Sequence, residues 1–311
     1  MRIVFMGTPD FAVPSLRAMA EGGYEIAGVF CQPDRPKGRG KKLQKPPVKV
    51  LAEELGIPVY QFERIRRPEG VEALTYLAPD LVVTAAFGQI LSKSILEVPP
   101  LGCINVHGSL RPAYRGAAPI QWAVMNGEKE TGITLMYMDV GVDTGDMILQ
   151  KHLEIGPDET AGELFDRLAP LGAQTLLEGL KLFEHGRAPA AAQDGTKATL
   201  APMLNKEMGE LDFSLSAAVL KNRIRGMNPW PGCYTYFEGQ PLKIWRAEAL
   251  PGKGEPGRVI AASPKEGLIV GAGEGCLKLV EVQGLSGKRM AAEAYLLGHA
   301  IRPGEVLGCH G

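Results

Sequence analysis

Along the first half of the chain, short apolar runs alternate with stretches whose apolar residues recur at helical spacing. Residues 2–6 (RIVFM) form an apolar run ending at Gly7, and the spacing over 11–20 predicts a helix stopped by Gly22-Gly23. Residues 24–31 (YEIAGVFC) read as a second strand, 48–55 as a helix ending at Gly56, 57–60 as a short strand and 69–77 as a helix. DLVVTA (80–85) and CINV (103–106) read as buried strands, followed by helical patterns over 117–126 and 161–183. Strands alternating with helices predict βαβ units: an α/β domain with a Rossmann-like, mostly parallel sheet and helices on both faces. In such sheets ligands sit beyond the carboxyl ends of the strands.

The pattern changes after about residue 185. HGRAPAAAQDGTKATLAP has no clear period and reads as a linker of mixed extended and coil character. A helix is predicted over 214–225 with Ser214 as its N-cap. Beyond Pro231, CYTYFEGQPLKIWRAEAL turns at Glu238-Gly239, and GRVIAAS, GLIVGAG and CLKLVEVQ follow, each bounded by glycine. Short strands with turn signals between them predict a smaller β-barrel, OB-like. The expected organisation is a catalytic domain over 1–188, a linker over 189–205 and a C-terminal domain over 206–311. Trp230 and Trp245 are expected in the core, as large aromatics usually are.

Composition narrows the class without changing this picture. The 311 residues are 45% hydrophobic and 22% charged, as in an ordinary globular enzyme, and the formal net charge of -1 gives no global attraction for nucleic acid. The N-terminus lacks a signal-peptide core, and no apolar stretch approaches a membrane span, so the cytoplasm is the expected location and no membrane partner is expected. Cys31, Cys103, Cys233, Cys276 and Cys309 form no CxxC pair and are expected as reduced thiols. No metal is expected. Gly7-Thr8-Pro9 lacks the GxGxxG pattern, which argues against a dinucleotide.

The chemistry concentrates in GCINVHGSLRPAYRGAAPIQWAVMNGEKETGITLMYMDVGVDTGDM, residues 102–147. Asn105 and His107 lie two apart at a strand end, so both side chains can face one cleft. An amide that donates a hydrogen bond suits a developing oxyanion, and an imidazole can shuttle a proton near neutral pH. Asp143, between Gly141 and Gly145, could orient that imidazole. No serine or cysteine is evidently placed as a nucleophile, which favours direct attack by a substrate group. Asp139 and Asp146 could equally be turn-forming aspartates. Arg115 could meet a phosphate or a carboxylate tail, or pair with a surface acid.

A second feature is cationic. Residues 35–45 (RPKGRGKKLQK) carry Arg35, Lys37, Arg39, Lys41, Lys42 and Lys45 and no acid. Pro36, Gly38 and Gly40 exclude a stable helix, and the loop is expected to be disordered or weakly ordered in the free protein. It follows the second strand of a parallel sheet, so it should project at the ligand-binding edge, where cations suit a polyanionic substrate.

NVHGSLRPAYRGAAPIQWA and MDVGVDTGDM resemble the core signature of the folate-dependent formyltransferases. GTPDFAVPSL, the basic loop and NPWPG extend the resemblance over nearly the whole chain. It implies a formyl donor, 10-formyltetrahydrofolate, and as acceptor the α-amino group of methionine on initiator tRNA, in support of translation initiation. It places the catalytic roles on Asn105, His107 and Asp143. Folate contacts fall on Ser109, Leu110, Arg111 and Pro112, where Arg111 replaces a second leucine of the family pattern. Phe87, Gly88, Gln89, Ile90 and Leu91 would line the pterin pocket, with Asp139 also at the folate. Arg35, Lys37, Arg39, Lys41 and Lys42 would meet the tRNA acceptor end, with Arg39 foremost. Asn228, Pro229, Trp230 and Pro231 would form a turn that docks the two domains. A monomer is expected. The competing readings are a formyltransferase acting on a sugar nucleotide or other small amine, a folate hydrolase, and a non-catalytic RNA-binding module.

Overall fold

The structure, a computed structural model, describes residues 1–37 and 42–308. Arg39, Lys41 and Cys309 therefore lie outside the described residues, as does the expectation about the order of the loop tip. The chain divides into two compact units: residues 1–119, 130–154 and 165–202 in one, and 120–129, 155–164 and 203–311 in the other.

In the first unit, β1 (Arg2–Gly7) leads through a 3-10 turn (Asp10–Ala12) into α1 (Val13–Glu21), with Pro14 in its first turn. Proline suits that place because the first helical N–H groups have no partner to lose. β2 (Glu25–Cys31) follows. Then β3 (Arg35–Lys37) and β4 (Lys42–Gln44) pair antiparallel, so the basic stretch is the base of a hairpin. Next come α2 (Pro47–Glu54), β5 (Val59–Gln61), α3 (Pro68–Leu77), β6 (Leu81–Ala85), the short α4 (Lys93–Leu96) and β7 (Cys103–His107). The chain then runs through α5 (Pro119–Met125), of which residues 120–125 belong to the second unit, before β8 (Glu130–Tyr137) and β9 (Met147–Glu154) complete the sheet. The long α6 (Ala161–Glu184) gives residues 165–184 to this unit.

The strand order is β5-β2-β1-β6-β7-β8-β9. The first five are parallel, while β8 returns antiparallel to β7 and β9 antiparallel to β8. This is the expected mostly parallel α/β sheet, extended by an antiparallel pair that the reading of the sequence did not find. Side chains alternate across it. Val4, Met6, Phe30, Val82 and Cys103 pack with Leu74 and Leu77 of α3 and Ile95 of α4. On the opposite face α6 lies against β7 and β8 so closely that a Cβ on Gly179 would clash with Leu135. Glycine at that position is what permits this distance.

The second unit holds α7 (Ala217–Gly226) and a six-stranded antiparallel sheet of β10 (Cys233–Phe237), β11 (Gln240–Leu250), β12 (Val259–Ser263), β13 (Gly267–Gly271), β14 (Cys276–Gln283) and β15 (Met290–Ala291), with α8 (Ala292–Leu296) after it. This strand-rich sheet is consistent with a barrel-like domain. Its core gathers Leu220 and Ile224 of α7 with Ile244, Leu268, Leu277 and Val282. The N-cap of α7 is Ser216, whose Oγ accepts from Val219 N at 3.3 Å, and not Ser214. Ser214 instead donates its N–H to Asp212 Oδ1 at 3.0 Å in a preceding turn. Neither of the tryptophans expected in the core lies there: Trp230 is 51% exposed, and Trp245 is half-buried with Lys243 and Arg289 over its ring at 5.6 and 4.9 Å. Among the described residues no helix is long and apolar enough to cross a membrane.

Ile104 is fully buried in β7, the strand that carries the candidate site. Ile104→Ala should destabilise the first unit by about 2–5 kcal/mol through lost burial and the cavity left behind. The measurement is the urea midpoint; an unchanged midpoint would contradict this packing.

Candidate functional site

The site is built on the carboxyl ends of β6 and β7. Register pairs Thr84 with Asn105, and the Thr84 hydroxyl donates to Asn105 Oδ1 at 2.8 Å. With Oδ1 engaged, the Nδ2 group is the part of the amide left to donate to a ligand. Two residues on, His107 occupies the same face of the strand, paired in register with Thr134 of β8. Cys103 shares that face and is buried, which pushes its thiol up to about 12 and removes it as a nucleophile.

Beyond β7 the chain turns sharply. Ser109 is fully buried and donates to Ala113 O at 2.9 Å, while Thr134 Oγ1 donates to Ser109 O at 2.7 Å and accepts from Arg111 N at 3.1 Å. Gln150 of β9 donates to Arg111 O at 3.2 Å. This turn is thus held mainly by the antiparallel strands β8 and β9. Leu110 is half-buried, its Cδ2 close to Gly132.

Asp143 comes from the loop between β8 and β9. Asp139 closes that loop, its Oδ1 accepting from Gly141 N at 2.8 Å and from Thr144 Oγ1 at 2.5 Å. Gln193 donates to the carbonyls of Asp143 and Gly145 at 3.0 and 2.7 Å. It is held in turn by Arg115 Nη2 at 2.9 Å, so Arg115 is tied into this network. Asp143 has φ of 54°, and Tyr114 and Ala86 share that left-handed conformation at 60° and 47°. Non-glycine residues held there store strain, and all three stand in the loops that follow β6, β7 and β8.

The carboxylate of Asp143 has three neighbours. Gly116 N donates to Oδ2 at 2.9 Å, Arg111 Nη2 lies 2.9 Å from it, and His107 Nδ1 lies 3.7 Å away. The other imidazole nitrogen, Nε2, is 3.2 Å from Tyr114 O, a pure acceptor, so Nε2 carries a proton and donates. Burial, and then the Arg111 charge, lower the His107 value to about 4 against the opposing pull of Asp143 and Tyr114 O. His107 is therefore neutral at rest at neutral pH. The Arg111 side chain has no exposed surface, so the guanidinium turns inward to Asp143 and presents nothing to a ligand in this structure.

The remaining expected residues divide. In the loop after β6, Gly88 and Ile90 are exposed, Ile90 at 69%. Phe87 and Leu91 are buried in the core of the first unit. Gln89 is used structurally: its Oε1 accepts from Ile65 N and its Nε2 donates to Phe62 O, both at 2.7 Å. In the hairpin, Lys42 is exposed, and Arg35 pairs with Glu63 at 2.5 Å. Lys37 ends β3. Sequence reasoning missed Thr84, Thr134, Gln150 and Gln193. Thr84 carried a signal, a hydroxyl inside a run of buried aliphatics; Gln193 carried none. Among the described residues no cluster of His, Cys, Asp and Glu could hold a metal ion.

Residues 1–180 match the formyl transferase family, and residues 203–300 match the formyl transferase C-terminal domain. The methionyl-tRNA formyltransferase of Acetivibrio thermocellus is 50% identical over 311 residues, covering 99% of this chain and all of that one. That of Desulfotalea psychrophila is 52% identical over 309 residues, covering 99% and 95%. The chain belongs to the methionyl-tRNA formyltransferase family. Two solved structures support the formyltransferase fold at lower identity. The N-formyltransferase of Helicobacter canadensis, in complex with folinic acid and dTDP-3-aminofucose, aligns at 18% identity with a TM-score of 0.66 over 89% of this chain and 98% of that one. HypX from Aquifex aeolicus, in complex with tetrahydrofolic acid, aligns at 18% identity with a TM-score of 0.64 over 96% of this chain. This chain spans 47% of the length of HypX.

The His107 geometry makes a pH prediction for the formyltransferase. An imidazole held below its usual 6.5 binds fewer protons when folded than when unfolded. Its contribution to stability is full above 6.5 and is lost as pH falls toward 4. The stability of the wild type relative to His107→Gln should therefore decline over that window. Urea titrations at several pH values check this, and a flat difference would contradict it.

Proposed function

We propose that this enzyme transfers the formyl group of 10-formyltetrahydrofolate to the α-amino group of methionyl initiator tRNA. Asn105 and His107 share one face of β7 at its carboxyl end, with Asp143 3.7 Å from His107, and that arrangement is the observation that carries the reading. Relatives about half identical over the full chain are named for the same acceptor. The solved relatives that hold tetrahydrofolic acid and folinic acid suggest the donor.

The amine attacks the formyl carbon directly. Ser109 is buried and committed to Ala113 O, and Cys103 is held as a thiol, so neither serves as a covalent carrier. As the carbonyl oxygen gains charge, the Asn105 Nδ2 group donates to it, its orientation already set by Thr84. His107, neutral at rest, accepts the proton that the nitrogen of methionine releases. The imidazolium so formed has Tyr114 O at Nε2 and the Asp143 carboxylate facing Nδ1. It returns the proton to the departing folate nitrogen as the C–N bond breaks. Asp143 thus serves the charged intermediate. Of the expected folate contacts, Leu110 and Pro112 are half-buried at the turn, Gly88 and Ile90 are exposed after β6 and Asp139 is exposed after β8, so these five can reach a ligand. Arg111 could meet it only through its backbone.

Asn105→Ala should lower turnover about 10²–10³-fold through loss of the oxyanion donor. His107→Ala should lower it about 10²–10⁴-fold through loss of the proton carrier. In both, folate binding should persist. The assay follows formyl transfer from 10-formyltetrahydrofolate to charged initiator tRNA, to dTDP-amino sugars and to free amines. Transfer to sugars or amines with charged tRNA unreactive would sink the reading, and near-normal turnover in both variants would remove the residue assignments.

The acceptor makes a second prediction. Lys42 stands exposed at the start of β4, and a phosphate contact there releases counterions on binding. Lys42→Glu should raise KM for tRNA with little change in kcat, and should reduce the slope of log KM against log salt by about 1. An unchanged slope would place the tRNA backbone elsewhere.

A further inference from the structure

Arg111 is the least exposed charged residue described, at 4%, and its side chain has no exposed surface. A buried guanidinium is costly unless its donors and its charge are met. Here they are met only in part. Nη1 donates to Ala113 O at 3.3 Å, and Nε has no partner. Nη2 lies 2.9 Å from Asp143 Oδ2 but off the line of a hydrogen bond, so the contact is chiefly one of charge. Asp143 is therefore the main compensation for this buried cation.

The same oxygen faces His107. Oδ2 sits 2.9 Å from both Gly116 N and Arg111 Nη2, and 3.7 Å from His107 Nδ1. Arg111 and Asp143 are the charged groups described that act on this imidazole, one from the turn after β7 and one from the loop after β8. A carboxylate already neutralised by a guanidinium is a weak counter-charge for an imidazolium. With Nε2 donating to Tyr114 O, the lone pair is at Nδ1, on the side of Asp143. An apolar side chain at position 111 would leave the carboxylate to His107 alone.

We propose that Arg111 is a positioning residue that claims the Asp143 carboxylate and so holds His107 in its neutral, proton-accepting form, an inference that rests on the reaction proposed above. The proton leaves the methionyl nitrogen for Nδ1 as the new C–N bond forms. It passes to the folate nitrogen as the old C–N bond breaks, and His107 ends as it began. An imidazole charged at rest could not take the first proton.

The test reads His107 directly, by NMR of the full-length protein carrying isotope-labelled histidine, with the resonance assigned through His107→Gln. In the wild type the imidazole should remain neutral at pH 5.5 and lose its neutrality only toward 4. In Arg111→Leu the titration should move up by about one pH unit or more, and Arg111→Lys should stay near the wild type. A leucine variant titrating with the wild type, or a lysine variant titrating with the leucine one, would overturn the proposal. If Arg111→Leu does not fold, Arg111→Gln is read in its place: the same upward move of the titration supports the proposal, and an unmoved titration overturns it. Formyl transfer at single turnover gives a second readout. Relative to the wild type, Arg111→Leu should be slowed at least about twofold at pH 5 and recover toward pH 7, because only the neutral imidazole takes the proton. A purely structural loss would slow it equally at both. If the wild type formylates no methionyl-tRNA, the reaction fails as a reading, while the NMR titration still reports whether Arg111 controls His107.

Discussion

One carboxylate oxygen, Asp143 Oδ2, ties the loop after β8 to three points on the distant segment 107–116. It takes the N–H of Gly116, neutralises the buried guanidinium of Arg111 and faces the imidazole of His107. The loop that presents it is closed by Asp139 and held from outside by Gln193. Its backbone sits in the left-handed region, a conformation that a residue with a side chain adopts only when its surroundings over-determine it. Gly145 follows where a Cβ would clash with Tyr137 O, so the return into β9 has no room for a larger residue. Without the carboxylate, Arg111 would be an uncompensated buried charge and the turn after β7 would lose its reason to pack inward.

The division of labour between strands and loops follows from this. Asn105 and His107 are carried by β7, whose neighbours on both sides fix its register. The parallel partner supplies Thr84, which orients the amide, and the antiparallel partner supplies Thr134, which pins the turn. In the proposed reaction, the groups that meet the developing charge and the moving proton thus sit on a paired strand, where little reorganisation is needed as charge develops. The group that balances the charge comes from a loop.

How much of this could be read from the sequence depended on how local each signal was. The buried parallel strands were legible because each is an apolar run bounded by turn residues, and Asn105 and His107 were legible because their spacing matches the strand period. β8 and β9 were missed for different reasons. In β8 the run from Thr131 to Met136 is buried throughout, so it shows no alternation, and in β9 most residues are only half-buried, so the apolar signal is thin. In the β3–β4 hairpin Arg35, Pro36 and all three residues of β4, Leu43 included, are exposed, so no alternation of buried and exposed positions marks it. Arg111 stood out as a departure from a pattern, yet its destination depends on a carboxylate 32 positions further on. Trp245 was expected in the core on size alone, and two cations now cover its ring instead.

The Arg111–Asp143 pair is poorly explained by stability. Buried ion pairs gain little over apolar side chains of similar volume, because desolvation consumes most of the attraction, and this guanidinium leaves Nε without a partner. A leucine at that position would carry no such cost. What the pair does alter is the environment of His107. The imidazole has acceptors near both nitrogens, an arrangement that by itself favours the doubly protonated ring, while burial and the neighbouring guanidinium oppose it. The outcome is a ring that is neutral at rest yet surrounded by groups able to receive it once charged. A proton carrier needs both properties, and a lone aspartate beside the histidine would supply only the second.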